Sequence, residues 1–243
     1  MKRFFLILVA IAVACKQPSK PTAKPGAGPT LAATVISIST KVGEKTTNHE
    51  IVIANGRARS TNELDVWRHY DTKAETITFV DDVDKTIRVE PLQSLLQSRQ
   101  KTMAAALPAH FAHAKLSRGS SKQLLGRNAQ QHVIEAGAYR RELWIATHPA
   151  IPDDLFAMML ASDAPSSPLA PMMRSVDEQL LRAKGFPLLD RAEVPLANAA
   201  NVVERTVTSI ATRQVPVTML SVPRGYRDVT PKPAAAKTTA APR

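Results

Sequence analysis

The chain of 243 residues carries a formal net charge of +11 and a single cysteine. Eight basic residues lie before position 26 or after position 231, and removing them leaves a charge of only +3 on the central part. A nucleic-acid-binding surface needs its basic residues on a folded face, and one cysteine cannot form an internal disulfide. Composition therefore excludes a nucleic-acid-binding protein and a disulfide-stapled domain.

The N-terminal stretch MKRFFLILVAIAVAC resembles a bacterial lipoprotein signal. A charged start and ten apolar residues precede Ala14 and Cys15, and this apolar run is shorter than the roughly 20 residues that span a bilayer. We expect residues 1–14 to be a signal peptide. The resemblance implies acylation of Cys15, where two or more chains give stable anchoring to a membrane. An ordinary signal peptide with an unmodified Cys15 is the alternative, because Ala12 stands where such signals usually have leucine.

The composition changes twice along the rest of the chain. Residues 15–31 combine the cysteine with a Pro- and Lys-rich stretch, which predicts an extended tether. Residues 32–229 have the length and apolar content of a single domain. Residues 230–243 are basic, rich in Ala and Pro, and predicted to be disordered.

Strand-like patterns fill the first part of this domain. Apolar residues alternate at 36–39 and 51–54, and Asn55-Gly56 follows directly. That pair is a strong hairpin signal because both residues tolerate positive φ. The runs LDVWRHYD, TITFV and TIRVE come next, separated by the polar segments DTKAE and DDVDK. Together they predict an antiparallel meander.

Helical and strand-like segments alternate in the second part. Pro91 opens a predicted helix that runs to about Ala106, with proline in its favoured first-turn position. Strands are predicted at 122–125, 130–135, 139–147, 186–194, 202–212 and 217–222, and further helices at 153–161 and 169–181.

This order of elements resembles the bacterial envelope proteins grouped as domain of unknown function 4412. The segments IVIANGRARS, YRRELWIAT, AKGFPLL and VPVTMLSVPRGYRDV carry the resemblance, which covers about residues 34–229. Such proteins look like relatives of the periplasmic lipoprotein carrier and its outer-membrane receptor. The resemblance implies an α+β fold, a curved antiparallel half-barrel with about three helices packed on its concave side around an apolar cavity. It supplies no catalytic or ligand-binding residues.

Methionine and tryptophan side chains are the candidates for lining such a cavity, since methionine adapts its shape and is frequent at promiscuous apolar surfaces. The candidates are Trp67, Met103, Trp144, Met158, Met159, Met172 and Met173. The alternative is that the methionines fill gaps in a closed core and that the tryptophans pack on the sheet, as apolar side chains in helices and strands usually do.

Patterns that carry metal or catalytic chemistry are weak in this sequence. His110 and His113 are spaced as on one helical face but lack a third ligand. The acidic run VDDVDK lacks the glycine and the final glutamate of a calcium loop, and we expect a charged hairpin turn there. The sequence contains no hydrolase, phosphate-loop or dinucleotide motif. We therefore expect neither a metal nor a cofactor, and no enzymatic activity unless the histidines and the acidic turn meet in a polar cleft.

Together these patterns predict a non-enzymatic envelope lipoprotein that binds an apolar ligand, such as the acyl chain of a lipid or lipoprotein. Its partner is expected to be the membrane, reached through the N-terminal lipid. Lys16 rather than aspartate follows the cysteine, which favours the outer membrane, facing the periplasm. The alternative is a structural or interaction lipoprotein with a filled core, whose basic tails bind anionic envelope surfaces.

Overall fold

The computed structural model describes residues 28–61, 66–105, 114–136, 139–162, 180, 184–196 and 199–231. The expected signal peptide, Cys15, most of the tether and nearly all of the basic tail lie outside these residues. Within the described part of the chain, none of the helices combines the length and the hydropathy needed to cross a bilayer.

Strands make up most of the described chain. They are β1 (Thr30–Val42), β2 (Lys45–Ala54), β3 (Arg57–Thr61), β4 (Val66–Asp71), β5 (Thr76–Asp81), β6 (Thr86–Pro91), β7 (Lys115–Leu124), β8 (Arg127–Ala136), β9 (Tyr139–Ala146), β10 (Phe186–Leu196), β11 (Ala199–Pro216) and β12 (Arg227–Asp228). The helices are α1 (Leu92–Ala105), α2 (Leu155–Ser162) and a 3-10 turn at Val217–Leu220.

The strands form one open sheet in the order β12-β6-β5-β4-β3-β2-β1-β11-β10-β9-β8-β7. Each half is a meander, β1 to β6 on one side and β7 to β11 on the other. Strands β1 and β11 join the halves in an antiparallel pairing that runs from Thr30 opposite Pro216 to Val42 opposite Val203. The first strand of one meander and the last strand of the other therefore lie side by side near the centre of the sheet.

The predicted hairpin and meander are confirmed. Asn55 and Gly56 have φ values of 55° and 79° and connect β2 directly to β3, as a two-residue turn with positive φ requires. The two acidic turns that follow are built alike. Oδ1 of Asp71 accepts the N–H groups of the residues two and three positions later, and Oδ1 of Asp81 does the same. The acidic run at 81–84 is thus a hairpin turn.

The predicted fold class is wrong in its balance of helix and sheet. The described residues form a twelve-stranded open sheet with two α-helices, rather than a half-barrel covered by about three helices. The sheet contains more residues than predicted, in part because β7 and β11 are longer than the strands predicted at 122–125 and 202–212. The helix predicted at 169–181 lies outside the described residues, apart from Leu180.

The segment predicted as a last strand at 217–222 is also corrected, because it forms the 3-10 turn. Pro216 ends the ladder since proline has no N–H to donate. The next residue, Val217, donates its N–H to the carbonyl oxygen of Pro29, with 2.9 Å between nitrogen and oxygen.

Both faces of the sheet bury apolar side chains, because side chains alternate along each strand. We call the side that carries α2 the helix face; its core includes Ile36, Ile51, Tyr70 and Met158. Tyr70 Oη lies 3.3 Å from Ser162 Oγ at the end of α2. The opposite side, the second face, is covered around β1 and β2 by the 3-10 turn, in a smaller cluster of Ala33, Val35, Val52, Ala54, Val215 and Leu220.

Candidate functional site

A cavity of about 240 Å³ lies between α2 and the helix face of the sheet. Strands from both halves of the molecule reach it, since β1 and β2 come from one meander and β9 to β11 from the other. Its lining consists of Ile38, Thr40, Thr47, His49, Arg141, Phe156, Met159, Leu160, Phe186, Pro187, Asp190, Arg205 and Val207. Seven of these thirteen residues are apolar, so the cavity has an apolar wall and a polar side.

The polar side follows from the strand register. Thr47 pairs with Thr40, Thr40 with Arg205, and Arg205 with Asp190. Paired residues on neighbouring strands point to the same face, so these four form one row across the sheet, which we call the polar row. Ile38 and Val207, two residues away on β1 and β11, form the adjacent apolar row.

Charged side chains of β9, β10 and β11 form one end of the cavity. Arg141 Nε and Nη2 donate to Oδ1 and Oδ2 of Asp190, both at 2.8 Å, while Arg205 Nη1 lies 3.4 Å from Oδ2. Burial alone would raise the pKa of Asp190. The charges and hydrogen bonds of Arg141 and Arg205 outweigh burial and hold this pKa below its ordinary value of 3.8. Asp190 is therefore an ionised, buried carboxylate in a bidentate pair.

The two arginines of this cluster differ in exposure. The side chain of Arg141 is 16% exposed and that of Arg205 is 50% exposed, so Arg205 lies at the open end of the cavity. Burial and, secondly, the charge of Arg205 lower the pKa of His49 from 6.5. His49 is consequently neutral at pH 7, and Arg205 supplies the positive charge at the opening.

The structure separates the two methionines predicted as cavity lining in α2. Met159 lines the cavity and contacts the core only in part. Met158 is fully buried in the core of the helix face. One of these adjacent side chains thus has access to the cavity, and the other fills the interior.

Neither Trp67 nor Trp144 is among the residues that line the cavity. Trp67 is three positions from Tyr70, so strand alternation places it on the side opposite α2. Trp144 is buried within the main core cluster, next to Leu143 and Ile145. Each ring is buried, stacks under a cation and donates its indole N–H to a carboxylate. For Trp67, the Cζ atom of Arg59 lies 3.9 Å from the ring centroid, and the indole nitrogen lies 3.0 Å from Oδ2 of Asp82. For Trp144, the Nζ atom of Lys122 lies 3.8 Å from the ring centroid, and the indole nitrogen lies 2.7 Å from Oε1 of Glu142.

The remaining candidates are not placed by the structure. Met103 lies in α1, but its side chain is outside the described part, as are Met172, Met173, Cys15 and the His110–His113 pair. Among the described residues, no group of three or more His, Cys, Asp or Glu side chains is arranged to hold a metal ion.

The charged cluster is the part of the site that the sequence patterns did not indicate. Asp190 directly follows the apolar run FPLL, and an acid next to such a run is the available signal for a buried partner. Arg141 lies two residues from Leu143 and so on the same face of its strand, but its pairing with Asp190 joins positions 49 residues apart.

No family model matches the chain, so the resemblance to domain of unknown function 4412 is not confirmed. No curated protein matches it either. Solved structures that align with it include PNGF-II, over 83% of this chain and 31% of that chain, at 12% identity and a TM-score of 0.45. The MucA/MucB complex of Pseudomonas aeruginosa aligns over 79% of this chain and 56% of that chain, at 13% identity and a TM-score of 0.39.

A LolA superfamily protein of Nitrosomonas europaea, NE2245, aligns over 79% of this chain and 90% of that chain, at 7% identity and a TM-score of 0.29. This chain thus spans about a third of PNGF-II and just over half of the aligned chain of the MucA/MucB complex. No activity or ligand is transferred from these proteins.

Proposed function

We propose that this protein is a non-enzymatic, membrane-anchored lipoprotein of the bacterial envelope that binds an acyl chain in the cavity under α2. The observation that supports binding is the apolar wall, in which Phe156, Met159 and Leu160 of α2 face Ile38 and Val207 of the sheet. Ligand sites in proteins are concave and mostly apolar, with a few polar groups that fix orientation. The cavity has this composition.

A binding assay with a blocked cavity tests the proposal. The delipidated mature protein is titrated into a fluorescent fatty acid, and saturable binding is expected. Met159→Trp places a larger side chain in the cavity wall and is expected to abolish binding. Met219→Trp is the matched control, because Met219 is also partly buried but packs on the second face. Absence of saturable binding, or equal binding by both variants, would contradict the proposal.

The anchor is proposed from the N-terminal sequence. Mass spectrometry of the protein extracted from its native membranes is expected to find an acylated N-terminal Cys15. Cys15→Ala is expected to release the protein into the soluble envelope fraction. An unmodified cysteine on membrane-extracted protein would remove this part of the proposal and leave the binding function untouched.

The second candidate function is an interaction lipoprotein with a filled core. The observation that favours it is Met158, which is fully buried and packs as an ordinary core side chain. In this case the basic tail at 230–243 binds anionic envelope surfaces. Its deletion should then abolish co-sedimentation with envelope fragments at low salt, while acyl probes should not bind.

A further inference from the structure

Among the described residues that line the cavity, Asp190 is the only carboxylate, and it faces two arginines. Both oxygens of Asp190 accept short hydrogen bonds from Arg141, and Arg205 reaches the same carboxylate at only 3.4 Å. Within this described group two guanidinium groups face one carboxylate, so Arg141, Arg205 and Asp190 together carry a charge of +1. The excess sits on Arg205, the half-exposed member at the opening.

Hydroxyl groups extend this positive site along the polar row. Thr40 is the cross-strand partner of Arg205, and Thr47 is the next residue in the row. Lys45 lies two residues before Thr47 on β2 and therefore on the same face. Guanidinium and hydroxyl donors at the edge of an apolar cavity form a suitable site for a carboxylate or phosphate.

The volume of the cavity limits the length of a bound chain. An engineered protein cavity of roughly 150 Å³ binds benzene, which has six carbon atoms. By the same ratio, the 240 Å³ cavity accommodates about ten carbon atoms. This is the size of one medium-length chain.

We propose that the ligand is a single-chain amphiphile with an anionic headgroup, whose carboxylate or phosphate binds Arg205, Thr40 and Thr47 while its chain lies against Met159 and Phe156. This inference rests on the proposed function, because it assigns a headgroup to the acyl chain. Arg205 is a specificity-determining residue in this account, and Asp190 holds the guanidinium groups in place.

Four probes that differ in charge and chain test the inference by calorimetry below their micellar concentrations. Dodecanoate and dodecyl phosphate carry an anionic head and a chain, monolauroylglycerol carries the chain without charge, and acetate carries the charge without the chain. The two anionic amphiphiles are expected to bind at least tenfold more tightly than monolauroylglycerol, with an affinity that falls as salt rises. Acetate at the same concentration is expected not to bind.

Arg205→Gln is expected to lower the affinity for dodecanoate about tenfold, because a partly exposed charged hydrogen bond is lost. The affinity for monolauroylglycerol is expected to stay unchanged. Arg205→Lys should restore part of the loss. The matched control is Arg213→Gln on the same strand, because the Arg213 side chain is also 50% exposed and paired with one carboxylate, that of Glu50. Arg213 pairs with Ala33 and so lies on the second face.

The outcomes separate the two proposals. If dodecanoate and monolauroylglycerol bind equally, or if Arg205→Gln and Arg213→Gln behave alike, the headgroup inference is overturned and acyl binding stands. If acetate displaces dodecanoate at equal concentration, the chain contributes nothing and the inference is also overturned. If no chain-bearing probe binds, the proposed function itself fails.

Discussion

Arg141 and Asp190 form a bidentate ion pair across β9 and β10, with both nitrogen–oxygen distances at 2.8 Å. Their side chains are only 16% and 10% exposed. A buried carboxylate left without its partner costs about 3 to 5 kcal/mol. This pair is therefore both the end of the cavity and a strong constraint on the register of β9 against β10.

The first prediction concerns this ion pair. Arg141→Met is expected to lower the free energy of unfolding by about 3 kcal/mol, because Asp190 keeps only the longer contact with Arg205. Urea denaturation monitored by circular dichroism measures the change. Arg140→Met is the control, since the neighbouring Arg140–Glu135 pair is exposed and such pairs contribute about 1 kcal/mol or less. Equal losses in the two variants would contradict a structural role for the buried pair.

The second prediction distinguishes the adjacent methionines of α2. Met158→Ala is expected to lower the free energy of unfolding by about 2 to 5 kcal/mol, because a fully buried side chain leaves a void. Met159→Ala should cost less and should change the affinity for acyl probes, since Met159 lines the cavity. Chemical denaturation and probe titration of both variants provide the comparison. If only Met158→Ala changed the affinity for acyl probes, Met158 rather than Met159 would be the side chain in contact with the ligand.

The hairpin, the meander, α1 and α2 were predictable from the sequence because local rules determine them. Asn55-Gly56 and the two aspartate turns act through their own backbone geometry. The sheet order was not predictable, because the pairing of β1 with β11 depends on packing between residues far apart in sequence. The charged end of the cavity depends on that sheet order and was missed for the same reason.

The tryptophans illustrate a further limit of sequence patterns. Trp67 and Trp144 were predicted as candidates for lining the cavity, with packing on the sheet as the alternative, and neither is among the residues around the cavity under α2. Alternation does not reveal which face carries the cavity. The face that carries the cavity is determined by the packing of α2, whose Ser162 contacts Tyr70.

The third prediction concerns pH. Burial and, secondly, the charge of Arg57 lower the pKa of His69 from 6.5, and its Nε2 has no hydrogen-bond partner among the described residues. Below pH 6.5 the unfolded chain takes up a proton that the folded His69 resists. Stability therefore falls as pH decreases through this range, by at most about 1.4 kcal/mol per pH unit for this group.

Urea denaturation at pH 5, 6 and 7 measures this dependence. His69→Gln, which does not titrate, is expected to show a smaller loss of stability between pH 7 and pH 5 than the unmodified protein. His148→Gln is the control. His148 is more exposed than His69, so its substitution should have less effect on how the free energy of unfolding changes with pH. If His69→Gln loses as much stability between pH 7 and pH 5 as the unmodified protein, other groups produce the acid dependence.

The fourth prediction concerns Gly185, which precedes the cavity residues Phe186 and Pro187. Gly185 has a φ of 110°, and a Cβ there would lie 2.6 Å from the carbonyl oxygen of Ala146. Gly185→Ala is expected to lower the free energy of unfolding by more than about 2 kcal/mol, because backbone strain and a backbone clash add.

Gly43 offers a matched comparison for this substitution. It also has positive φ, at 58°, but a Cβ there would meet nothing within 4 Å. Gly43→Ala should therefore cost only the conformational strain, about 1 kcal/mol. Thermal denaturation of both variants checks the difference, and equal losses would show that Ala146 moves aside.

The central claim is that an acyl chain occupies the cavity under α2, and its most direct test is a methyl spectrum of the protein labelled with ¹³C-methyl methionine. On titration with dodecanoate, the Met159 signal is expected to shift saturably, while that of Met219 on the second face stays unchanged. An unshifted Met159 signal at saturating dodecanoate, or equal shifts of both signals, would contradict the claim.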